Sequence, residues 1–288
     1  MKRSKLGFGL FVGPILIAFL IVVLIPAIMG IYYSFTNWDG INNNPAFVGL
    51  SNYISVFKQD NSFVKAFIFT FKFAIVSVIL INLIGFGLAL LVTRGMKTSN
   101  ILRSIFFLPN MIGGIILGFI WQFIFTKVFD VIGSKIGWSF LNGWLSTTTT
   151  GFWALAILMA WQMSGYMMII YIAALQGIPE NLKEASEIDG ANGFQKLMHI
   201  TVPLVAPAFT IGLFLTLSNC FKLFDQNLSL TGGGPYDSTQ MLALNIYNTA
   251  FVYSKFSLAQ AKAVIFLITV AIITLTQLRF NKKREVEM

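Results

Sequence analysis

The sequence predicts an all-α membrane protein, a polytopic helical bundle with six transmembrane helices. Of its 288 residues, 56% are hydrophobic and only 11% are charged, and the mean hydropathy is +0.77. Soluble domains carry about 25% charged residues, and disordered chains have low hydrophobicity, so both classes are excluded. The apolar residues also fall in six runs, each long enough to hold the roughly 20 residues that a membrane helix needs.

Charged residues and polar breaks delimit the predicted spans, because Lys, Arg, Asp and Glu are costly inside a bilayer. Proline suits the first turn of a helix, so the fifth span is expected to start near Pro203. Residues 1–288 are expected to form a single transmembrane domain. The predicted spans are residues 6–38, 73–93, 104–126, 151–175, 197–221 and 257–278.

The basic residues predict the orientation of these spans, because Lys and Arg collect on the cytoplasmic side. Six spans place both termini on one side, and that side holds 12 of the 20 Lys and Arg and all five arginines. Both termini are therefore expected in the cytoplasm. Because the charges flank apolar runs, the net charge of +9 indicates contact with lipid rather than with nucleic acid.

Cysteine and histidine are too scarce for several kinds of site. The one cysteine, Cys220, excludes an intrachain disulfide and a cysteine-based metal cluster. The one histidine, His199, excludes a site with several histidine ligands. We therefore expect no metal centre.

The cytoplasmic loop between the fourth and fifth spans, residues 176–201, carries the clearest functional signal. Pro179 suits the first turn of a helix, and Asp189-Gly190 is a stop signal because glycine readily takes positive φ. A second short helix is expected to begin near Asn192. The loop is therefore predicted to contain two short helices that join at a glycine corner.

The first of these helices is acidic, which bears on what it contacts. It carries Glu180, Glu184, Glu187 and Asp189 against Lys183. A helix that lies on anionic lipid is usually basic on its polar face. The charge therefore favours docking into a groove of a cytosolic partner, with a loop on the membrane surface as the alternative.

The loop region carries Glu184-Ala185-Ser186, then Asp189-Gly190-Ala191, then Phe194 and Pro203. In this pattern it resembles the EAA loop of permease subunits in binding-protein-dependent ABC importers. Ser186 stands where that family usually has a second alanine. Other segments are similar to the carbohydrate-uptake branch of maltose and multiple-sugar type, namely residues 47–53, 103–109, 161–162, 175–179 and 230–235. The loop residues that match, and that are expected to couple to an ATPase, are Glu184, Ala185, Ser186, Asp189, Gly190, Ala191, Phe194 and Pro203.

The resemblance implies a type I ABC importer permease in a bacterial plasma membrane. It implies a second permease subunit in a heterodimer, two cytosolic ATPase subunits that bind ATP and Mg, and an extracytoplasmic sugar-binding protein. Glu184 would pair with an arginine of an ATPase subunit, and Gly190 would set the corner. The chain itself is expected to be no enzyme and to hold no cofactor. In agreement, no lysine follows a glycine, so the phosphate-binding Gly-Lys-[Ser/Thr] sequence is absent.

Polar residues in the fourth and fifth spans are candidates for a sugar path. Gln162 and Tyr166 share one helix face, as do Thr216 and Asn219. Such residues more often form hydrogen bonds between helices. The resemblance to maltose-type permeases favours a sugar path instead, because several of these polar residues match positions that contact sugar in those permeases. The expected path residues are Gln162, Tyr166, Thr216, Asn219, Cys220 and Asp225.

The remaining polar features are assigned to the outer side. Lys72, Lys222 and Lys262 lie near outer span ends, where we expect their side chains to reach lipid headgroups. The outer segment 225–256 is expected to be interfacial and to touch the binding protein.

Three other functions are weighed against the importer. An ion-coupled secondary transporter usually has acidic residues buried in mid-span, and here every Asp and Glu lies in a loop, a tail or a span end. A permease for a non-sugar solute such as glycerol phosphate is the second alternative. An intramembrane enzyme is disfavoured because H-E-x-x-H and G-x-S-x-G do not occur.

Overall fold

A computed structural model describes residues 5–95 and 97–282. The basic residues Lys2, Arg3, Lys283 and Arg284, which entered the orientation argument, lie outside this part. The α-helices are α1 (Lys5–Phe19), α2 (Ile25–Ser34), α3 (Ser51–Lys58), α4 (Asn61–Val92), α5 (Ser99–Phe107), α6 (Gly114–Phe123), α7 (Phe129–Ile136), α8 (Thr148–Gln176), α9 (Glu180–Ile188), α10 (Gly193–Lys196), α11 (Val202–Phe221), α12 (Leu242–Tyr247) and α13 (Phe256–Lys282). Single turns of π-helix join α1 to α2, α6 to α7 and α10 to α11.

In the described part of the chain, six helices are long and apolar enough to cross a membrane, which confirms the predicted fold class. The first, fourth and sixth agree with the predicted spans to within a few residues. The second span begins earlier than predicted, at Asn61 rather than at residue 73. The six are Leu10–Ser34, Asn61–Val92, Gly114–Ile136, Thr148–Gln176, Gly193–Phe221 and Phe256–Arg279.

The predicted bounds of the third span, residues 104–126, are wrong, because this span covers Gly114–Ile136. Helix α5 ends at Phe107, a short 3₁₀ turn covers Leu108–Met111, and a new helix begins at Gly114. Pro109 lacks a backbone N–H and cannot continue the helix, and the Gly113-Gly114 pair adds a flexible point behind it. Apolar composition alone hid this break, because the residues on both sides are equally apolar.

The predicted start of the fifth span near Pro203 is also wrong. The helix is continuous from Gly193 to Phe221, so the second short helix of the loop and the fifth span are one element. Pro203 lies in the first turn of α11, directly after the π-helical turn Leu197–Thr201. The wider π turn supplies the room that a proline ring needs next to the preceding turn.

The described chain divides into two compact units. One contains α1–α3 with residues 245–268, and the other contains residues 65–244 with the rest of the described chain. Helix α8 is the core of the second unit, since 72% of its spanning window is buried. A Cβ atom at Gly165 would collide with the backbone carbonyl of Phe106, so glycine allows α5 to lie directly on α8.

In the first unit, the expectation that Lys262 reaches lipid headgroups is wrong. Lys262 is 1% exposed, and its Nζ lies 2.6 Å from Asp60 Oδ2. The ammonium also donates to Asn245 Oδ1 at 2.8 Å and to Thr249 Oγ1 at 2.6 Å. Burial raises the pKa of Asp60, but the hydrogen bonds from Lys262 and Ser62 outweigh it and leave that pKa below its ordinary value. Three acceptors therefore satisfy the three N–H groups of a buried ammonium.

Candidate functional site

The corner of the loop is a helix C-cap built around Gly190. The backbone N–H of Gly190 donates to Glu187 O at 3.1 Å, and that of Ala191 donates to Ser186 O at 3.0 Å. Gly190 has φ +72°, which an L residue reaches only with strain. These two bonds form a Schellman motif, which fixes the direction in which the chain leaves α9.

The second helix of the loop starts at a reciprocal cap. Asn192 Oδ1 accepts from the Gln195 N–H at 2.9 Å, and Gln195 Oε1 accepts from the Asn192 N–H at 2.8 Å. An ion pair between Lys196 Nζ and Glu187 Oε1, at 2.9 Å, ties this helix back to α9. The hydrogen bond from Lys196 lowers the pKa of Glu187 below its ordinary value. The predicted corner is thus formed from local interactions alone.

The loop presents both acidic and apolar side chains at its surface. Glu184 and Asp189 are exposed, and Ile188 and Phe194 are 88% and 66% exposed. Exposed apolar groups of this size next to carboxylates are typical of a protein-binding surface. Sequence reasoning identified Phe194 but missed Ile188, because Ile188 is adjacent to the stop signal and belongs to no helical repeat.

A groove of about 380 Å³ lies between the two helices of the loop. Of the predicted coupling residues, the structure brings four to this groove and leaves Glu184, Gly190, Phe194 and Pro203 outside its lining. Ser186 is the buried member of the predicted coupling residues in this lining. The lining residues are Leu182, Ala185, Ser186, Asp189, Ala191, Gln195, His199 and Ile200.

A polar cavity of about 460 Å³ lies between α8 and the end of α11 in the second unit. Its volume falls within the range of small-molecule sites, about 300–1,000 Å³. Four amide side chains, one tyrosine, one lysine and one carboxylate line it together with four apolar residues. The lining residues are Asn110, Met159, Gln162, Met163, Tyr166, Asn219, Lys222, Leu223, Phe224, Asp225 and Gln226.

The cavity contains four of the six predicted path residues, Gln162, Tyr166, Asn219 and Asp225. Gln162 is held in place, because Gln226 Nε2 donates to its Oε1 at 2.7 Å and its own Nε2 donates to Ile112 O at 3.4 Å. The ring of Tyr166 lies near that of Phe107, with 6.4 Å between the ring centroids and an angle of 44° between their planes. The tyrosine therefore has one aromatic neighbour next to the cavity.

Thr216 and Cys220 do not line the cavity. Thr216 is buried, accepts a hydrogen bond from Asn82 Nδ2 at 3.0 Å and donates to Gly212 O at 2.7 Å. Asn82 in turn accepts from the Tyr171 hydroxyl, so Thr216 belongs to a hydrogen-bond network between helices. Cys220 is fully buried. Thr216 therefore forms hydrogen bonds between helices, as polar residues in membrane spans more often do, and does not face the cavity.

Sequence reasoning missed Asn110, Lys222 and Gln226 as cavity residues. Asn110 follows Pro109 in the break between α5 and α6, Lys222 lies in the break after α11, and Gln226 lies in the short helical segment that follows it. A polar residue at a helix break inside apolar sequence is a usable signal, since irregular backbone at membrane depth occurs where it lines a cavity. Lys222 was assigned to headgroups because it lies at a span end.

A bundle of spanning helices with a polar cavity among them, and with an exposed two-helix loop between two spans, defines an integral membrane transport subunit. Residues 81–286 match the family described as "Binding-protein-dependent transport system inner membrane component". The chain belongs to this family of ABC transporter permeases, which are multi-pass membrane proteins and are not themselves catalytic.

Relatives of known name match over almost the whole chain. The sequence is 54% identical to the probable starch degradation products transport system permease protein AmyD of Thermoanaerobacterium thermosulfurigenes, covering 99% of this chain and 97% of that one. It is 32% identical to the multiple sugar-binding transport system permease protein MsmF of Streptococcus mutans, covering 93% and 95% of the two chains. The likeness to these relatives therefore extends over nearly all of this chain.

A solved structure gives the same fold. A chain from the crystal structure of a bacterial ABC transporter that imports the acidic polysaccharide alginate superposes with a TM-score of 0.85 at 21% identity. The match covers 98% of this chain and 96% of that chain. The arrangement of helices described above is thus that of an ABC importer permease.

Proposed function

We propose that this chain is one permease subunit of an ATP-driven importer that carries a sugar or oligosaccharide into the cell. It would form half of the pathway with a second, different permease subunit. Two cytosolic ATPase subunits would bind ATP and Mg, and an extracytoplasmic binding protein would deliver the sugar. Both termini and the loop at residues 176–201 would lie in the cytoplasm of a bacterium.

The single observation that carries this proposal is the surface of the loop. Glu184, Ile188 and Asp189 are exposed on α9 and its C-terminal cap, and Phe194 is exposed at the start of the helix that continues without interruption into the fifth span. An acidic and apolar surface suits a groove in a partner protein better than it suits anionic lipid. The resemblance of the loop to the EAA loop supports an ATPase subunit as that partner.

Names of relatives support a sugar as the solute. AmyD is named for starch degradation products and MsmF for multiple sugars. The cavity offers amides and a tyrosine ring, which suit hydroxyl groups and the flat apolar face of a sugar. Its one lysine is matched by one carboxylate, which favours a neutral solute over glycerol phosphate. Starch-derived oligosaccharides are therefore the first substrates to test.

Docking is tested with a charge series at Glu184. We expect Glu184→Lys to weaken binding of the ATPase subunit at least about 30-fold, as a loss of about 2 kcal/mol at a charge pair would do. Glu184→Gln should fall between this variant and the unchanged protein. Affinity is measured by titrating the purified ATPase subunit into the permease heterodimer in detergent.

The matched control is Lys135→Glu, a charge reversal at an exposed position in the last turn of α7. It should leave the affinity for the ATPase unchanged. Equal affinity of the Glu184→Lys variant and the unchanged protein would refute docking through this surface.

The sugar path is tested at Tyr166. Tyr166→Ala should raise the sugar concentration for half-maximal uptake roughly tenfold, which corresponds to about 1.4 kcal/mol of lost contact. Trp153→Ala is the control, because Trp153 is an exposed aromatic residue of the same helix outside the cavity lining. Uptake by proteoliposomes of the assembled transporter gives both values. An unchanged concentration for the Tyr166 variant would mean that its ring only packs against neighbours.

A further inference from the structure

A second polar pocket, of about 410 Å³, lies at the point where the loop 176–201 leaves and re-enters the helical bundle. We call it the neck pocket. It is separate from the polar cavity and from the groove of the loop, and it shares no lining residue with either. Its lining residues are Leu90, Val92, Thr93, Gly95, Ser99, Arg103, Leu175, Gln176, Ile178 and Thr201.

The neck pocket is positively charged. Arg103 is the one charged residue in its lining. The Nε atom of Arg103 is buried and has no hydrogen-bond partner among the described residues. A buried guanidinium N–H without a partner is costly, so a ligand that accepts a hydrogen bond there is stabilising. Arginine presents its donors in a planar fork that fits the oxygens of a phosphate group.

The hydroxyl groups of the pocket define the rest of the ligand. Thr93 Oγ1 donates to Ala89 O at 2.8 Å, and Ser99 Oγ donates to Val92 O at 2.8 Å. Both hydroxyl hydrogens are thus in use, and the two oxygens have lone pairs that can accept hydrogen bonds from a ligand. Inorganic phosphate carries its OH groups on the phosphorus itself, whereas a molecule with separate hydroxyl groups can donate to these oxygens while its phosphate lies on Arg103.

We propose that the neck pocket binds a phosphate ester that carries free hydroxyl groups, and that this ligand restrains the coupling loop. The phosphate would lie on Arg103, and the ligand hydroxyls would donate to Thr93 and Ser99. A soluble sugar phosphate and the headgroup of phosphatidylglycerol share this chemistry.

The position of the pocket gives the ligand its effect. Gln176 and Ile178 lie at one end of the loop and Thr201 at the other, so both ends of the loop form one wall. A ligand that bridges this wall to Arg103 favours the conformation described here. Because a transport cycle requires the loop to move, occupancy would slow the cycle. This effect on the cycle rests on the proposed function, whereas binding itself does not.

Binding is tested first on the full chain, purified in detergent for glucose 6-phosphate and in nanodiscs for phosphatidylglycerol against phosphatidylcholine. We expect one of these probes to bind, and Arg103→Gln to weaken that binding at least tenfold. Arg94→Gln is the control, because Arg94 is exposed in the turn between α4 and α5 and does not line the pocket. It should bind as the unchanged protein does.

A second variant guards against a folding defect in the Arg103 protein. Thr93→Val removes one acceptor and should weaken glucose 6-phosphate more than inorganic phosphate, which has no sugar hydroxyls to donate. Failure of both probes to bind the unchanged protein would overturn the site. Equal losses in the Arg94 and Arg103 variants would also overturn it, because they would show only general charge attraction.

The effect on coupling is tested on the assembled transporter. The bound probe should lower the sugar-stimulated ATPase rate, and the Arg103→Gln transporter should resist this inhibition. A probe that binds without changing the rate would overturn the regulatory role. If no ATPase subunit associates with the chain while Arg103-dependent binding persists, the proposed function is refuted, but the neck pocket is still a ligand-binding site.

Discussion

Two lysine–carboxylate pairs in this protein have similar lengths and opposite surroundings. Lys262 and Asp60 approach to 2.6 Å, with 1% and 19% of their side chains exposed. Lys196 and Glu187 approach to 2.9 Å, with 29% and 69% exposed. The first pair is enclosed by Asn245 and Thr249, whereas the second lies on the surface of the loop.

This difference in exposure indicates that the Lys262–Asp60 pair is structural, whereas the Lys196–Glu187 pair can exchange its partners. A buried charge whose partner is removed leaves a costly uncompensated ion, while water replaces the partner of an exposed charge at little cost. The Lys262–Asp60 pair of the first unit is therefore satisfied within the protein. The loop keeps Glu184 and Asp189 exposed, and its Lys196–Glu187 ion pair can be exchanged for contacts with a partner protein at little cost.

The largest effect is expected when the buried pair is broken. Lys262→Met should lower the free energy of unfolding by about 3–5 kcal/mol, because Asp60 loses the cation that compensates its charge. The measurement is chemical unfolding in detergent, followed by tryptophan fluorescence. The double variant Asp60→Asn, Lys262→Met should recover part of the loss, since the unpaired carboxylate is then gone. Unfolding of the single variant at the same denaturant concentration as the unchanged protein would show that the pair is not structural.

An intermediate effect is expected at the corner of the loop. Gly190→Val should cost at least about 1–2 kcal/mol locally, because φ +72° is strained for any L residue and more so for a β-branched one. Gly193→Val is a matched control, since a Cβ atom meets nothing within 4 Å at either position and only Gly190 has positive φ. ATPase affinity should fall for the Gly190 variant alone. Equal affinity of the two variants would mean that the corner geometry is not needed for docking.

The smallest effect is expected at the exposed pair. Lys196→Met should leave global unfolding unchanged within error, because the pair is screened by water and salt. It should also return the pKa of Glu187 upward to its ordinary value of 4.5, since the hydrogen bond from Lys196 is lost. The lowered pKa means that the pair stabilises above pH 4.5 and is lost as the pH falls further. NMR titration of the labelled side chain checks this, and an unfolding midpoint that shifts with the variant would contradict it.

The spans that the sequence predicts well are those bounded by charges or local caps. Residues 151–175 closely matched α8, whose start is set by the local capping box of Thr147 and Thr150. The predicted bounds of the third and fifth spans were wrong, because composition cannot distinguish one long helix from two shorter ones. There, Pro109 breaks a helix, while Pro203 follows a π turn and does not. Both prolines lie in equally apolar sequence.

The loop was more predictable than the cavity for a related reason. The corner at Gly190 and the cap at Asn192 depend on residues within six positions of one another, so their pattern is visible in the sequence. The cavity depends on which helix faces meet. Helical spacing put Thr216 and Asn219 on one side of a helix, but it cannot tell that Thr216 meets Asn82 while Asn219 reaches the cavity.

The unbroken helix from Gly193 to Phe221 has a consequence for sequence change in this protein. It spans 29 residues, or about 43 Å, with the loop surface at one end and Asn219 at the other. Inserting or deleting one residue between them would turn one end by about 100° relative to the other. Homologous proteins should therefore accept substitutions at the exposed positions of this stretch far more readily than a change in its number of residues.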